Sequence, residues 1–124
     1  MNEFIVFVIG ACGYSVIELL WRGYTHWTMA LAGGICFLLM YYINIHVKSG
    51  LFAKYLLSAL CITAVELIFG LLFNVVLDFN IWDYSNLPLN FYGQICLPYS
   101  VIWFFLSIPL IKFCGIIKFT IEKV

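Results

Sequence analysis

Charge is what this sequence has least of. Asp, Glu, Lys and Arg make up 10% of its 124 residues, against about 25% in soluble domains, so water is not the main solvent of the fold. Neither sign is in excess, since six basic and six acidic side chains cancel. Without a basic cluster to track phosphates, nucleic acid is excluded as a partner. Paired cysteines are also missing: Cys12, Cys36, Cys61, Cys96 and Cys114 stand singly in apolar stretches, without CxxC spacing or a neighbouring histidine. That pattern argues against a zinc site or a disulfide framework and reads as small buried hydrophobes. No GxxxxGK[ST], HExxH or GxSxG occurs, and His and carboxylates are not clustered. No ATPase, hydrolase or metalloenzyme site is therefore expected, and no cofactor. Finally, no Lys or Arg precedes the apolar run that follows Met1-Asn2-Glu3, and no small-residue cleavage site follows it. This run is read as a retained first helix rather than a signal peptide.

What is present in abundance is apolar: 65% of residues are hydrophobic and 19% aromatic. A spanning helix needs about 20 mostly apolar residues, each rising about 1.5 Å through a core roughly 30 Å thick. Four stretches qualify, at about residues 4–21, 28–47, 51–77 and 93–113. The expected fold class is an all-α membrane protein, a single transmembrane domain over residues 1–124. Lipid offers no partner to an unpaired backbone group, and four short strands could not close a barrel. Short connections at 22–27 and 48–50 predict antiparallel hairpins. Lys48, Lys54, Lys112, Lys118 and Lys123 fall near the second connection or the C-terminal end, while Arg22 is alone on the opposite side. The positive-inside rule then places both termini in the cytoplasm of a cell-membrane protein and the 78–92 loop outside. Trp21, Trp27, Trp82, Tyr84 and Tyr92 are spaced as an interfacial aromatic belt on that outer side.

The halves read as copies of one hairpin. Val16-Ile17-Glu18-Leu19-Leu20 matches Ala64-Val65-Glu66-Leu67-Ile68, and Gly33-Gly34-Ile35-Cys36 matches Gly93-Gln94-Ile95-Cys96. On this expectation each even helix opens with Gly-x-Ile-Cys, the repeats run parallel, and Glu18 and Glu66 are pseudo-equivalent across the bundle.

A charged side chain in the hydrocarbon core costs about 2.5 to 3.5 kcal/mol, so those present face an interior or a watery cavity. Glu18 precedes Arg22 by one turn, in the favourable order for an ion pair. Glu66 has no basic residue nearby on its own helix and shares a stripe with Gly70 and Asn74, with Thr63 just below. Such a stripe serves either as a packing seam or as one wall of a polar path. Glu18, Glu66, Asn74 and Arg22 are accordingly the candidate substrate or proton site. The 78–92 loop is too polar to span and too aromatic for a free linker, and loops of that length are often lids or binding elements. It reads either as an ordered cap, with Asp78 or Asp83 paired to Arg22, or as a ligand-contacting loop. His26, Trp82, Asp83, Tyr84, Asn90 and Gln94 are its candidate contacts. Pro98 and Pro109 in the fourth span, like Gly33 and Gly34 in the second, are expected to loosen backbone hydrogen bonding.

Gly13-Tyr14 ahead of Glu18, the stretch from Arg22 through His26 to Gly33-Gly34, and Trp82-Asp83-Tyr84-Ser85 through Asn90 to Gly93-Gln94-Ile95-Cys96-Leu97-Pro98 carry a resemblance. Over nearly the whole chain the sequence resembles a family of small bacterial membrane proteins, with vertebrate relatives, labelled putative ABC-transporter type IV or CmpB-like permease. The resemblance implies a multi-pass four-helix protein and a permease-like role, with an ATPase partner from another gene and no catalytic residue to carry across. The expected function is a non-enzymatic, transport-related component working as a homo-oligomer or with another membrane subunit. A membrane scaffold or regulator, and a stand-alone proton-coupled exporter, are the alternatives.

Overall fold

A computed structural model describes residues 2–23, 25–48, 50–78 and 82–123. The chain forms α1 (Asn2–Arg22), α2 (Trp27–His46) and α3 (Leu51–Phe69), and α3 runs on as a π-helical segment, Gly70–Val76. A two-residue hairpin, β1 (Asn90–Phe91) against β2 (Ile95–Cys96), leads into α4 (Leu97–Lys123). Each long helix is apolar enough to cross a membrane. Their outward faces carry Leu20 at 83% exposure, Trp21 at 75% and Val76 at 71%. Burying one large apolar side chain is worth about 1.5 to 3 kcal/mol, so a surface with this many exposed ones suits lipid rather than water.

The fourth helix departs from expectation at both ends. It starts at Leu97 rather than near residue 93, because Gly93 adopts φ +71 in a turn that a helix cannot continue through. It runs on to Lys123 rather than stopping near residue 113, because Cys114 and Ile117 still pack into the core. Pro98 thus lies in the first turn, where its missing N–H breaks no helical bond, contrary to the loosening expected of it. Pro109 is inside the helix and leaves the Phe105 carbonyl without its usual donor.

Close approach between α1 and α2 depends on glycine. A Cβ on Gly33 would lie 2.5 Å from the Tyr14 side chain, and one on Gly34 would lie 2.7 Å from the Phe7 ring. These glycines therefore form a small-residue packing seam. The other copy of Gly-x-Ile-Cys has a different role, since Gly93 to Cys96 lie in the hairpin ahead of α4 while Gly33 is already inside α2. The expectation that both copies open an even helix is not met.

Between α3 and α4 the Thr63 and Ser100 hydroxyls share a hydrogen bond of 2.9 Å. Lys54 on α3 donates to the Asn44 carbonyl (3.0 Å) and side-chain oxygen (3.3 Å), tying α2 to α3 where α2 ends with unfilled carbonyls. The core around Val6, Phe37, Met40, Ile62 and Trp103 joins the four helices. Even so, α1 makes its main contacts with α2, and α3 its main contacts with α4. A cleft is left where these two pairs face each other.

Candidate functional site

The stripe on α3 meets a partner at every position. Thr63 bonds Ser100. Glu66 accepts the Trp103 indole N–H at Oε1 (2.8 Å) and the Tyr84 hydroxyl at Oε2 (3.0 Å). Gly70 is a slot for a side chain of the loop: a Cβ there would lie 2.5 Å from Gln94 Oε1 and 2.8 Å from its Cβ. Asn74 Nδ2 donates to the same Gln94 oxygen (2.9 Å), and both residues are buried.

The loop beyond residue 81 is an ordered cap. The Trp82 indole donates to the Gln94 carbonyl (2.9 Å) and the Tyr84 N–H to the Gly93 carbonyl (2.7 Å). The Asn90 side-chain amide donates to the Leu87 (2.9 Å) and Ser85 (3.3 Å) carbonyls, and its oxygen accepts from the Gly93 N–H (3.1 Å). Asp83 accepts from the Ser85 N–H (2.9 Å), and this bond holds its carboxyl below the usual Asp range. The Tyr84 ring stacks on Tyr99 with centroids 4.7 Å apart and 12° between planes. Burial foremost, and then the neighbouring Glu66 charge, raise the Tyr84 phenol well above its ordinary value, so it stays protonated and donates. Residues 79–81 of the loop lie outside the described residues.

Glu18 is 6% exposed. It accepts the Tyr14 hydroxyl at Oε1 (2.7 Å), and Arg22 Nε lies 3.3 Å from Oε2. The ion pair foreseen from the spacing is present. Asp83, which with Asp78 is a candidate partner for Arg22 in the ordered-cap reading, accepts from the Ser85 N–H. His26 is the N-cap of α2: its Nδ1 accepts from the Thr28 N–H (3.3 Å) and lies 2.8 Å from the Thr28 hydroxyl. Of the loop candidates, Tyr84 reaches Glu66 directly and Gln94 reaches Asn74. Trp82, Asp83 and Asn90 bond within the cap, and His26 serves its own helix.

A cavity of about 130 Å³ occupies the cleft. Tyr14, Gly13 and Ile17 of α1, Cys36 of α2, Glu66 of α3 and Trp103 of α4 are among its walls, and Trp82 closes it from the cap. The carboxylate that reaches this wall is Glu66. Glu18 is held behind Tyr14, whose ring faces the same space. Among the described residues no group of three or more His, Cys, Asp or Glu could hold a metal ion. Two important residues were not anticipated in these roles. Tyr14 sits one turn before Glu18, a spacing that could have shown the contact. Trp103 had no such signal, because its bond to Glu66 depends on how α4 is aligned against α3.

A family model described as "Putative ABC-transporter type IV" matches residues 4–123. No curated protein and no solved structure matches the chain.

Proposed function

Because the chain belongs to the putative ABC-transporter type IV family, we propose that it is a transport-related component of the cell membrane, with Glu66 at the centre of its solute site and Glu18 behind it. The observation that carries this reading is the cavity between the helix pairs, which ends on an acidic side chain inside a spanning helix. Ionisable groups at such depth cost energy to insert and commonly mark a substrate or ion path. The cavity is too small for most solutes to pass through one copy, so the pathway is completed by a second copy or another subunit. Four spans would bring both termini to one side, and the lysines at 48, 54, 112, 118 and 123 support a cytoplasmic position for that side. A separate ATPase would then dock near Lys48. The acidic odd helices, α1 with Glu18 and α3 with Glu66, support two hairpins related as parallel repeats.

The test is to extract the tagged protein in native nanodiscs, determine the mass of the complex and identify what co-purifies. A stoichiometric ATPase, with flux lost in Glu66→Gln while the complex mass is unchanged, supports the reading. A second reading, a membrane scaffold, has its own observation: every polar residue of the α3 stripe already bonds α4 or the cap. A non-ATPase partner that stays bound to Glu66→Gln would favour it.

A further inference from the structure

We propose that the central cleft binds a small organic ammonium ion that partitions into the membrane, with Glu66 as its counter-charge and the rings of Tyr14, Trp82 and Trp103 as its walls. The proposal names a cargo class for the solute site and rests on the transport reading for its role.

Charge is the first argument. Of the two glutamates, Glu66 lines the cavity and Glu18, outside it, is matched by Arg22. Glu66 has no cationic partner among the described residues, and its bonds come from the neutral donors Trp103 and Tyr84. An ionised carboxylate offers about four acceptor positions. Two are filled, and neither bond requires a proton on the carboxyl, so acceptor capacity remains for the N–H groups of a cation. An anion would be repelled here.

Shape and lining supply the second argument. The cavity, about 130 Å³, is close to the roughly 150 Å³ of an engineered cavity that holds benzene. Away from Glu66 its walls are mostly aliphatic and aromatic, including Ile9, Met29 and Ile62. A polyhydroxylated solute would find few partners, whereas a ligand with one ammonium end and an apolar body is matched at both ends. Indole and phenol faces add cation–π attraction for such a head group. Access is the third argument: α2 packs against both α3 and α4 while α1 packs chiefly on α2, so a ligand from the membrane would enter on the side between α1 and the α3–α4 pair.

The experiment measures binding of benzylammonium, against neutral benzyl alcohol of like shape, to the full-length protein in nanodiscs by calorimetry and tryptophan fluorescence. The expected result is saturable binding that favours the ammonium at least tenfold and falls at least tenfold in Glu66→Gln. Gly13→Leu is the second variant. Gly13 lines the cavity, and a Cβ there meets no heavy atom within 4 Å. The larger side chain should therefore fill the cavity with Glu66 intact and also abolish binding, even if Glu66→Gln fails to fold. Equal binding of the two compounds, or ammonium binding retained in either folded variant, overturns the proposal. An ATPase partner and flux found without ammonium binding overturn the cargo class and leave the transport reading standing. Ammonium binding in a protein with neither partner nor flux supports the site and removes the transport reading.

Discussion

Two glycines in this protein should respond in opposite directions to the same substitution. At Gly13 an added methyl meets open space, so Gly13→Ala should gain the ordinary helix preference of alanine, about 0.5 to 1 kcal/mol. At Gly70 the methyl would lie 2.5 Å from Gln94 Oε1 and 2.8 Å from Gln94 Cβ, distances that real Cβ atoms do not tolerate. Gln94 must then leave its slot, and with it goes the buried bond to Asn74. Losing that hydrogen bond costs about 0.5 to 1.5 kcal/mol, and crowding a packed site about 1 to 3 kcal/mol. Set against the helix gain, Gly70→Ala should loosen the cap by roughly 1 to 4 kcal/mol. Each 1.4 kcal/mol is a factor of ten in an opening equilibrium, so amide exchange at Tyr84 and Gln94 should accelerate by about fivefold or more. Their N–H groups bond the Gly93 and Phe91 carbonyls within the cap, which makes them reporters of its opening. Hydrogen exchange read by mass spectrometry in nanodiscs is the assay. If Gly70→Ala leaves those amides as protected as Gly13→Ala does, the cap is not held to α3 through Gln94 and the argument fails.

Two further predictions concern charge. Glu18→Gln alone should destabilise the protein by about 1 to 3 kcal/mol because it breaks the ion pair with Arg22 on a buried carboxylate, whereas Glu18→Gln with Arg22→Gln should cost less than the sum of the single changes. A double-mutant cycle of detergent-induced unfolding measures this, and strict additivity would show the pair to be inert. At Asp83 the folded carboxyl is held low by the Ser85 N–H. Its contribution is therefore complete above the ordinary Asp range and is lost as pH falls through the depressed folded value. The Ser85 amide shift in NMR should titrate below the ordinary range in the parent protein and not in Asp83→Asn, and a transition shared by both proteins would count against this assignment.

What was legible in the sequence follows from the range of the interactions involved. The four apolar runs declare the spans because bilayer thickness is a fixed external length. The Glu18–Arg22 pair follows from a single helical turn, and the stripe at Thr63, Glu66 and Gly70 from helical periodicity, whereas Asn74 stays on it through the wider winding beyond Gly70. What the stripe touches was not legible. Trp103 and Ser100 reach it only through the alignment of α3 and α4, which local spacing does not determine. The start of α4 was misplaced because Gly93, Ile95 and Cys96 look apolar enough to be helical. The left-handed Gly93 and the demand of Gln94 for the Gly70 slot instead make them a hairpin. Distinguishing a cap from a ligand loop likewise required knowing that Tyr84 turns inward to Glu66.

The π-helical end of α3 works as a correction to the pitch. Eight residues separate Glu66 from Asn74, and at 3.6 residues per turn eight steps overshoot two full turns by about 80°. In an unbroken α-helix Asn74 would swing away from the side on which Glu66 stands. Beyond Gly70 the winding widens to bonds between residues five apart, as in Leu77 N–H to Leu72 O at 3.1 Å. More residues per turn take up the overshoot, so Asn74 comes back above Glu66. The widened winding thus absorbs one residue: with one fewer between Gly70 and Asn74, seven steps of an ordinary α-helix would already bring Asn74 to within about 20° of Glu66 and the π-helical segment would not be needed.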